Sequence, residues 1–401
     1  MKKRILIIAS GLRVGGVERS LIGLLEATDK NRYDVNLFLH EHDGEFMDML
    51  PAGIRLLPEN LAYASLIAPI KSVLFSKAFP VAVARLAAKF VTLFRDRVLG
   101  IRGFLLPRSV RYCLPFLPPI PGDYDLAISF LTPHDPVLNK VSAIKKIGWI
   151  HTDYSVMECG VDQSFERPMW QELDAIAAVS DSVRDTFVSV FPELSKKVFV
   201  VENIISPEFV RKQAETDVSV EMPEVPAEYR ICSVGRFCHP KNFESIPEIV
   251  LKLHELGIGV RWYLIGFGGN EELIRSKIAD HGVEEKLVVL GKKTNPYPYM
   301  HTCDIYVQPS RYEGKAVTVR EAQILGKPVL ITNFPTAKSQ LEDGVDGLIC
   351  PLSIDGVVGG IQRLIEDREL RARLAQTAAS RDYSNQSEIK KVDRLIDTGS
   401  V

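Results

Sequence analysis

No two of the six cysteines (Cys113, Cys159, Cys232, Cys238, Cys303 and Cys350) stand two residues apart, so the zinc-knuckle and redox spacings are both missing. Six in 401 residues is too sparse for a disulfide scaffold, and reduced thiols in a cytoplasmic protein are expected. No apolar run reaches transmembrane length. Met1-Lys2-Lys3-Arg4 has the charge of a signal-peptide start, but the apolar run Ile5 to Ala9 stops at Ser10-Gly11. That is short of the roughly 7–15 residues a signal peptide needs. The expectation is a soluble or surface-bound chain. An excess of one charge is also lacking: 49 Lys and Arg against 51 Asp and Glu leave −2, which disfavours a nucleic-acid binder. Low-complexity tracts and short repeats are absent. What remains is an ordinary globular mixture, 46% hydrophobic and 25% charged, too long for one core and suited to two.

Short apolar runs alternate with helical patterns along the chain. Arg4 to Ala9, Tyr33 to Leu39, Ile54 to Leu57, Leu126 to Phe130, Lys146 to Ile150, Ala175 to Val179 and Val198 to Val201 read as buried parallel strands. A stretch with Pro207, Pro223 and Pro226 interrupts them, and the alternation then restarts at Arg230 to Val234. Further strands are expected at Val260 to Ile265, Leu287 to Leu290, Ile305 to Gln308 and Pro328 to Thr332. The pattern predicts two Rossmann-like, doubly wound α/β domains. Residues 1–205 form the first, 206–229 a linker and 230–380 the second. Residues 381–401 form a tail expected to pack back on the first.

Charge is uneven within that plan. Residues 61–119 hold nine basic residues (Lys71, Lys77, Arg85, Lys89, Arg95, Arg97, Arg102, Arg108 and Arg111) and one acid, Asp96. That is +8 locally, against −10 for the rest of the chain. Large apolar residues, among them Phe75, Phe79, Phe90, Phe94 and Phe104, are interleaved with them. Such a segment suits an anionic membrane surface, each cation contributing about 1 kcal/mol. Helices that pack on the domain and keep their lysines wet are the plainer expectation.

Three constellations carry chemistry. Pro309-Ser310-Arg311-Tyr312-Glu313-Gly314 leads through Lys315 to Arg320 into Glu321-Ala322. It follows a strand and enters a helix, whose first N–H groups, near Thr318 and Val319, would be open to an anion. On one helix, Glu313 and Glu321 would stand about 12 Å apart. That is too far for a retaining glycosidase pair, which needs about 5 Å. It suits two carboxylates accepting from hydroxyls on separate parts of an extended ligand. Second, Ser233-Val234-Gly235-Arg236 and His239-Pro240-Lys241-Asn242 deliver Arg236 and Lys241 to a strand's C-terminal edge, where open α/β sheets bind ligands. The two cations would stabilise a departing diphosphate. Third, Gly15-Gly16 precede a helix, read either as a phosphate contact or as a tight turn; the glycine spacing of a dinucleotide fingerprint is missing.

Together these elements resemble the retaining GT-B glycosyltransferases of the family-4 class (glycosyl transferases group 1), over nearly the whole chain and most specifically over 230–351. The resemblance implies two domains facing across a cleft. It gives Glu313, with Gly314, the donor sugar and Glu321 the nucleotide ribose. Arg236 and Lys241 take the diphosphate, and Gly15 and Gly16 a donor- or acceptor-facing loop. His151, in Trp149-Ile150-His151-Thr152-Asp153, takes the place near the reacting sugar carbon. A nucleoside diphosphate-sugar is then the donor substrate, with no cofactor and no metal. The basic apolar segment 61–119 suggests an acceptor presented at a membrane, such as a lipid-linked oligosaccharide of surface polysaccharide synthesis, and with it a cytoplasmic enzyme peripheral to the membrane.

The sequence departs from that family at Lys315-Ala316, where an aromatic and a small residue are usual, and at Asn203-Ile204-Ile205, where Asn-Gly is common. A nucleotide-sugar epimerase and a non-catalytic sugar-nucleotide sensor share the two-domain plan and remain alternatives. Asp123-Tyr124-Asp125 has the pattern of a metal ligand pair. Following Pro121-Gly122, however, it reads as a turn feeding a strand.

Overall fold

The structure is a computed structural model and describes residues 2–13, 15–99, 105–152, 154 and 163–398. Asp153, Arg102, Phe104 and Cys159 of the sequence reading lie outside the described residues. The chain divides into two compact units, Met1–Ile204 with Gln386–Val401, and Ile205–Asn385.

In the first unit, seven parallel strands form one sheet: β1 (Lys3–Ala9), β2 (Tyr33–Leu39), β3 (Arg55–Leu56), β4 (Ile120–Ser129), β5 (Val141–Ile150), β6 (Ala175–Ala178) and β7 (Val198–Val200). The second unit has six: β8 (Tyr229–Val234), β9 (Val260–Ile265), β10 (Leu287–Gly291), β11 (Ile305–Gln308), β12 (Val329–Thr332) and β13 (Leu348–Cys350). The spatial orders are β3-β2-β1-β4-β5-β6-β7 and β10-β9-β8-β11-β12-β13. Each therefore runs outward from a central strand, then jumps back across it. The reversal falls between β1 and β4 in one sheet and between β8 and β11 in the other, the place where doubly wound sheets open a crevice.

Both faces of the second sheet are covered, which is why its strands are apolar at consecutive positions. Tyr263, Tyr306 and Ile331 point into one core, while Trp262, Leu264, Val307 and Leu330 point into the other. A side chain at every second position of a strand shares a face, so a two-sided core demands an unbroken apolar run.

One expectation needs correction, and two details of the sheets fill in what the pattern left open. The stretch 206–229 is not a bare linker. Ser206 caps a helix, Pro207–Gln213, and Val210, Ala214, Val218 and Met222 are buried in the second unit's core. Its three prolines hid a helix that uses Pro207 in its first turn, where proline loses no hydrogen bond. The pair Asp123 and Asp125 lies inside β4, where Gly122 takes φ +109° and the register shifts between Ile120 and Asp123. Asp125 accepts the backbone N–H of Arg4 at 2.7 Å, a structural task. Finally, β13 is a strand the pattern did not show, because three residues are too few for a period.

The last helix, Ile389–Thr398, belongs to the first unit, whose core receives Val392 and Leu395. Asp397 there pairs with Lys3 at 3.0 Å and Arg32 at 2.9 Å. Within 61–119 the described helices include Leu61–Ala64, Ile70–Leu74, Phe79–Leu99 and Leu105–Cys113. Tyr63, Leu66, Val73, Val81, Val110 and Cys113 tie this segment to the core.

Candidate active site

Two loops leave the C-terminal ends of β8 and β11 at the reversal point of the second sheet, and a set of polar contacts stitches them together. Arg311 donates its backbone N–H to the Pro240 carbonyl at 2.8 Å. Its guanidinium reaches the His239 carbonyl and the Glu244 carboxylate, each at 2.6 Å. Asn242, in the left-handed region at φ 58°, donates its amide to the Pro309 carbonyl at 3.1 Å. Asparagine tolerates that backbone region better than most residues. These contacts carry Lys241 to Glu313, whose Oε1 lies 2.5 Å from the lysine Nζ.

The pair is mostly shielded, with side-chain exposure of 20% for Lys241 and 9% for Glu313, so the attraction is stronger than on an open surface. Ser310 also donates to Glu313 Oε1, at 2.6 Å, and the Gln308 amide approaches it at 3.4 Å. All of these contacts fall on one oxygen. Oε2 receives no hydrogen bond among the described residues. An ammonium has three N–H donors, and only one of those on Lys241 is used on Glu313. The constellation thus keeps one free acceptor and two free donors side by side, fit for a ligand that combines hydroxyls with an anion.

Beneath the pair runs a buried polar network that sequence reading missed. Gln308 donates to Ser310 at 2.9 Å and accepts from Tyr306 at 2.8 Å and Thr318 at 3.4 Å. Thr332 holds the Ser310 carbonyl, and Thr336 the Glu313 carbonyl at 2.8 Å. The signal was available: Gln308 closes the otherwise apolar run Ile305-Tyr306-Val307, and a buried amide requires partners.

Glu321 lies in the helix Val317–Ile324 and is wholly buried, its Oε1 accepting the Tyr297 hydroxyl at 2.8 Å. Glu313 precedes that helix, so the two carboxylates do not share one helical face. Val319 requires a correction as well, because its N–H is donated to the Ala316 carbonyl at 3.1 Å and is not open to an anion. The Ala316 N–H is likewise taken, by Gln340 at 2.8 Å. Thr318 and Gly314 stand half-buried at the same edge.

Arg236 follows β8, is exposed, and forms no hydrogen bond or ion pair among the described residues. Gly235 lets the lysine stem lie close: a Cβ there would meet Lys241 Cε at 3.4 Å and Phe243 at 3.3 Å. A glycine loop after β9 was also missed. Gly266 (φ +151°) passes so near the Gly235 carbonyl that a Cβ would stand 1.8 Å from its oxygen. Its neighbour Phe267 is exposed at the same end of the sheet, with the Lys292 ammonium 5.4 Å from the ring centre.

The other predicted residues belong to the first unit. Gly15 caps the helix Gly16–Ala27 in extended backbone, φ −170°. A Glu18 carboxylate oxygen occupies the space a Cβ on Gly15 would need, so this helix start already holds an anion. Nothing crowds Gly16. His151 follows β5, its ring 4.8 Å from that of Phe130, and its Nε2 is buried without a partner among the described residues. Burial pushes the imidazole down to about 4, so it is neutral near pH 7. His134, wholly buried, donates or accepts at Nδ1 with Ser129 at 2.8 Å and is pushed down to about 3, first by burial and then by His151.

Comparison with known proteins bears on this geometry. Residues 219–381 match the family model of Glycosyl transferases group 1. That span contains Arg236, Lys241, Glu313 and Glu321. Among curated proteins, the alpha-D-kanosaminyltransferase of Streptomyces kanamyceticus is 23% identical over 223 residues, 53% of this chain and 57% of that protein. The N-acetylgalactosamine-N,N'-diacetylbacillosaminyl-diphospho-undecaprenol 4-alpha-N-acetylgalactosaminyltransferase of Campylobacter jejuni is 24% identical over 53% of this chain and 56% of its own. The chain spans about half the length of the curated relatives it matches. Among solved structures, Anabaena Alr3699/HepE in complex with UDP and glucose has a TM-score of 0.68 at 16% identity, covering 99% of this chain and 100% of that one. TarM of S. aureus has a TM-score of 0.69 at 14% identity, covering 98% and 100%. These likenesses establish the fold, the GT-B plan of two parallel α/β sheets.

Proposed function

We propose that the chain is a retaining glycosyltransferase that moves a sugar from a nucleoside diphosphate-sugar to an acceptor hydroxyl. The observation that carries this reading is the Lys241–Glu313 pair at the β8/β11 reversal, with its unused donors and acceptor. The group 1 match over the same residues and the transferase names of the relatives support it.

In this reading the diphosphate lies against the two spare Lys241 N–H groups and the exposed Arg236 fork. Charge-assisted bonds of that kind hold a phosphate better the more negative it becomes, so they stabilise the leaving group as it departs. Glu313 Oε2 accepts sugar hydroxyls. Glu321, already shared with Tyr297, is the ribose partner in this reading. Transfer on the front face balances without an enzymic nucleophile: the acceptor oxygen bonds to the anomeric carbon on the face from which phosphate leaves. The carbon–phosphate-oxygen bond breaks, and the acceptor proton passes to the departing phosphate. The cations supply the charge stabilisation, so the proposal includes no metal. His151, neutral at pH 7, is kept as the first unit's candidate residue for this chemistry. A lipid-linked oligosaccharide acceptor, and a chain held on an anionic membrane, fit both the Campylobacter relative's printed name and the basic segment 61–119.

The test is product analysis with a panel of nucleoside diphosphate-sugars, with and without acceptor. A glycosylated acceptor, lost in Glu313→Gln and Lys241→Met, is expected. An epimerised donor formed without any acceptor would replace this reading with an epimerase.

A further inference from the structure

The helix Phe79–Leu99 is 21 residues, about 30 Å long, and its two sides differ sharply. Val81, Ala84 and Ala88 face the core and are buried. Phe79, Val83, Leu86, Phe90, Leu93 and Phe94 fall within about 100° of arc on the other side. All six are exposed, Phe90 by 71%, and Phe75 just before the helix is bare at 95%. A contiguous apolar stripe of this size is unusual on a soluble surface and marks a partner.

Of the segment's nine cations, Arg102 lies outside the described residues and Arg95 is half-buried; the other seven divide into two sets. Arg85 donates to the carbonyls of Ser65 and Ala68, at 2.7 and 2.6 Å. Arg108 is buried, and Arg111 binds Asp135 at 2.8 Å and the Phe165 carbonyl at 2.8 Å. These three hold the fold together and are not available to a surface, which corrects the simple count of nine. Lys71, Lys77, Lys89 and Arg97 are exposed, close in sequence to the stripe. No described helix is long and apolar enough to cross a membrane.

We infer that this stripe is the membrane-seating face of the chain: its phenylalanines and leucines enter the acyl boundary of an anionic bilayer while Lys71, Lys77, Lys89 and Arg97 meet the lipid headgroups. Charge decides between bilayer and second copy. Two copies joined stripe to stripe would bring the same four cations of each together in a segment whose one acid is Asp96, whereas anionic headgroups are complementary. The long cation stems reach up to the headgroups while the rings sit deeper. The inference rests on the lipid-linked acceptor reading only for its purpose. Because binding is measured without donor or acceptor, loss of one leaves the other standing.

The experiment is flotation of the full chain with vesicles of phosphatidylcholine alone and with phosphatidylglycerol added, alongside sedimentation velocity without lipid. The variants are Phe79→Ser/Phe90→Ser/Phe94→Ser and Lys71→Gln/Lys77→Gln/Lys89→Gln, each checked by circular dichroism. Binding to the anionic vesicles is expected to fall at least tenfold in the first variant. In the second it should fall about fivefold for each lysine removed, and Arg85 and Arg111 remain untouched throughout. Failure of the wild type to float with either vesicle, or equal flotation of the triple serine variant, would overturn the inference. A dimer that the serine variant abolishes would overturn it too, assigning the stripe to a second copy.

Discussion

The two sheets share the order of their first six strands yet differ in what gathers at their C-terminal edges. Around the first, beside the exposed pairing of Arg13 with Glu41 and Asp43, stand neutral rings: His40, His134 and His151 are all pushed well below the usual imidazole range by burial, to about 4, 3 and 4. At the second edge the groups are charged, with Lys241 on Glu313 and Arg311 on Glu244. A fold supplies the crevice, and the side chains that follow the strands decide what it grips. An edge with cations suits a diphosphate. An edge of neutral imidazoles suits hydroxyls, which gain little from a charge nearby.

The largest expected effect lies at the second edge. Glu313→Gln and Lys241→Met should each lower transfer about a hundredfold or more, the scale of removing one preorganised transition-state contact. The folded far-UV spectrum should be kept. Equal loss from His151→Ala would erase the contrast between the edges, whereas a smaller loss sharpens it.

Arg311→Ala breaks a pair in which Glu244 is nearly buried, at 9% side-chain exposure. Urea unfolding should show a loss of about 2–3 kcal/mol, since a buried carboxylate is left without its cation. Activity should fall as well, because the same residue holds the Lys241 loop in place. Next in size, Gly235→Ala puts a methyl 3.4 Å from Lys241 Cε. The Phe243 ring, at 3.3 Å, must give by a few tenths of an ångström while the lysine stem is only touched, and a loss of no more than about tenfold in kcat/KM is expected.

A further effect distinguishes the edges by pH. Because the folded-state values of His40, His134 and His151 lie below the unfolded value of about 6.5, the unfolded chain binds more protons between the two. The stability these groups contribute is complete above pH 6.5 and is lost as pH falls toward 4. Hydrogen exchange should therefore show the first unit loosening across that window before the second does. His134→Gln should flatten the dependence.

Much of this was legible in the residues themselves. The runs Ile5 to Ala9 and Arg230 to Val234 announce buried parallel strands, and Gly235, Arg236, Lys241 and Glu313 stand where the chain leaves its strands. Contact between Lys241 and Glu313 was not legible, since 72 residues separate them and the loops meet only through Arg311 and Asn242. Nor did the sequence show that Val319 spends its N–H on Ala316, because a tight first turn follows from backbone geometry rather than residue type. The count of cations in 61–119 misled for a related reason: charge is visible in a sequence, but its partner is not.

Calorimetric titration of the chain with a panel of nucleoside diphosphates tests the central claim most directly. The account predicts that at least one binds the wild type, and that Lys241→Met weakens it about tenfold to a hundredfold, the scale of a charge-assisted hydrogen bond. Unchanged affinity in that variant would contradict it.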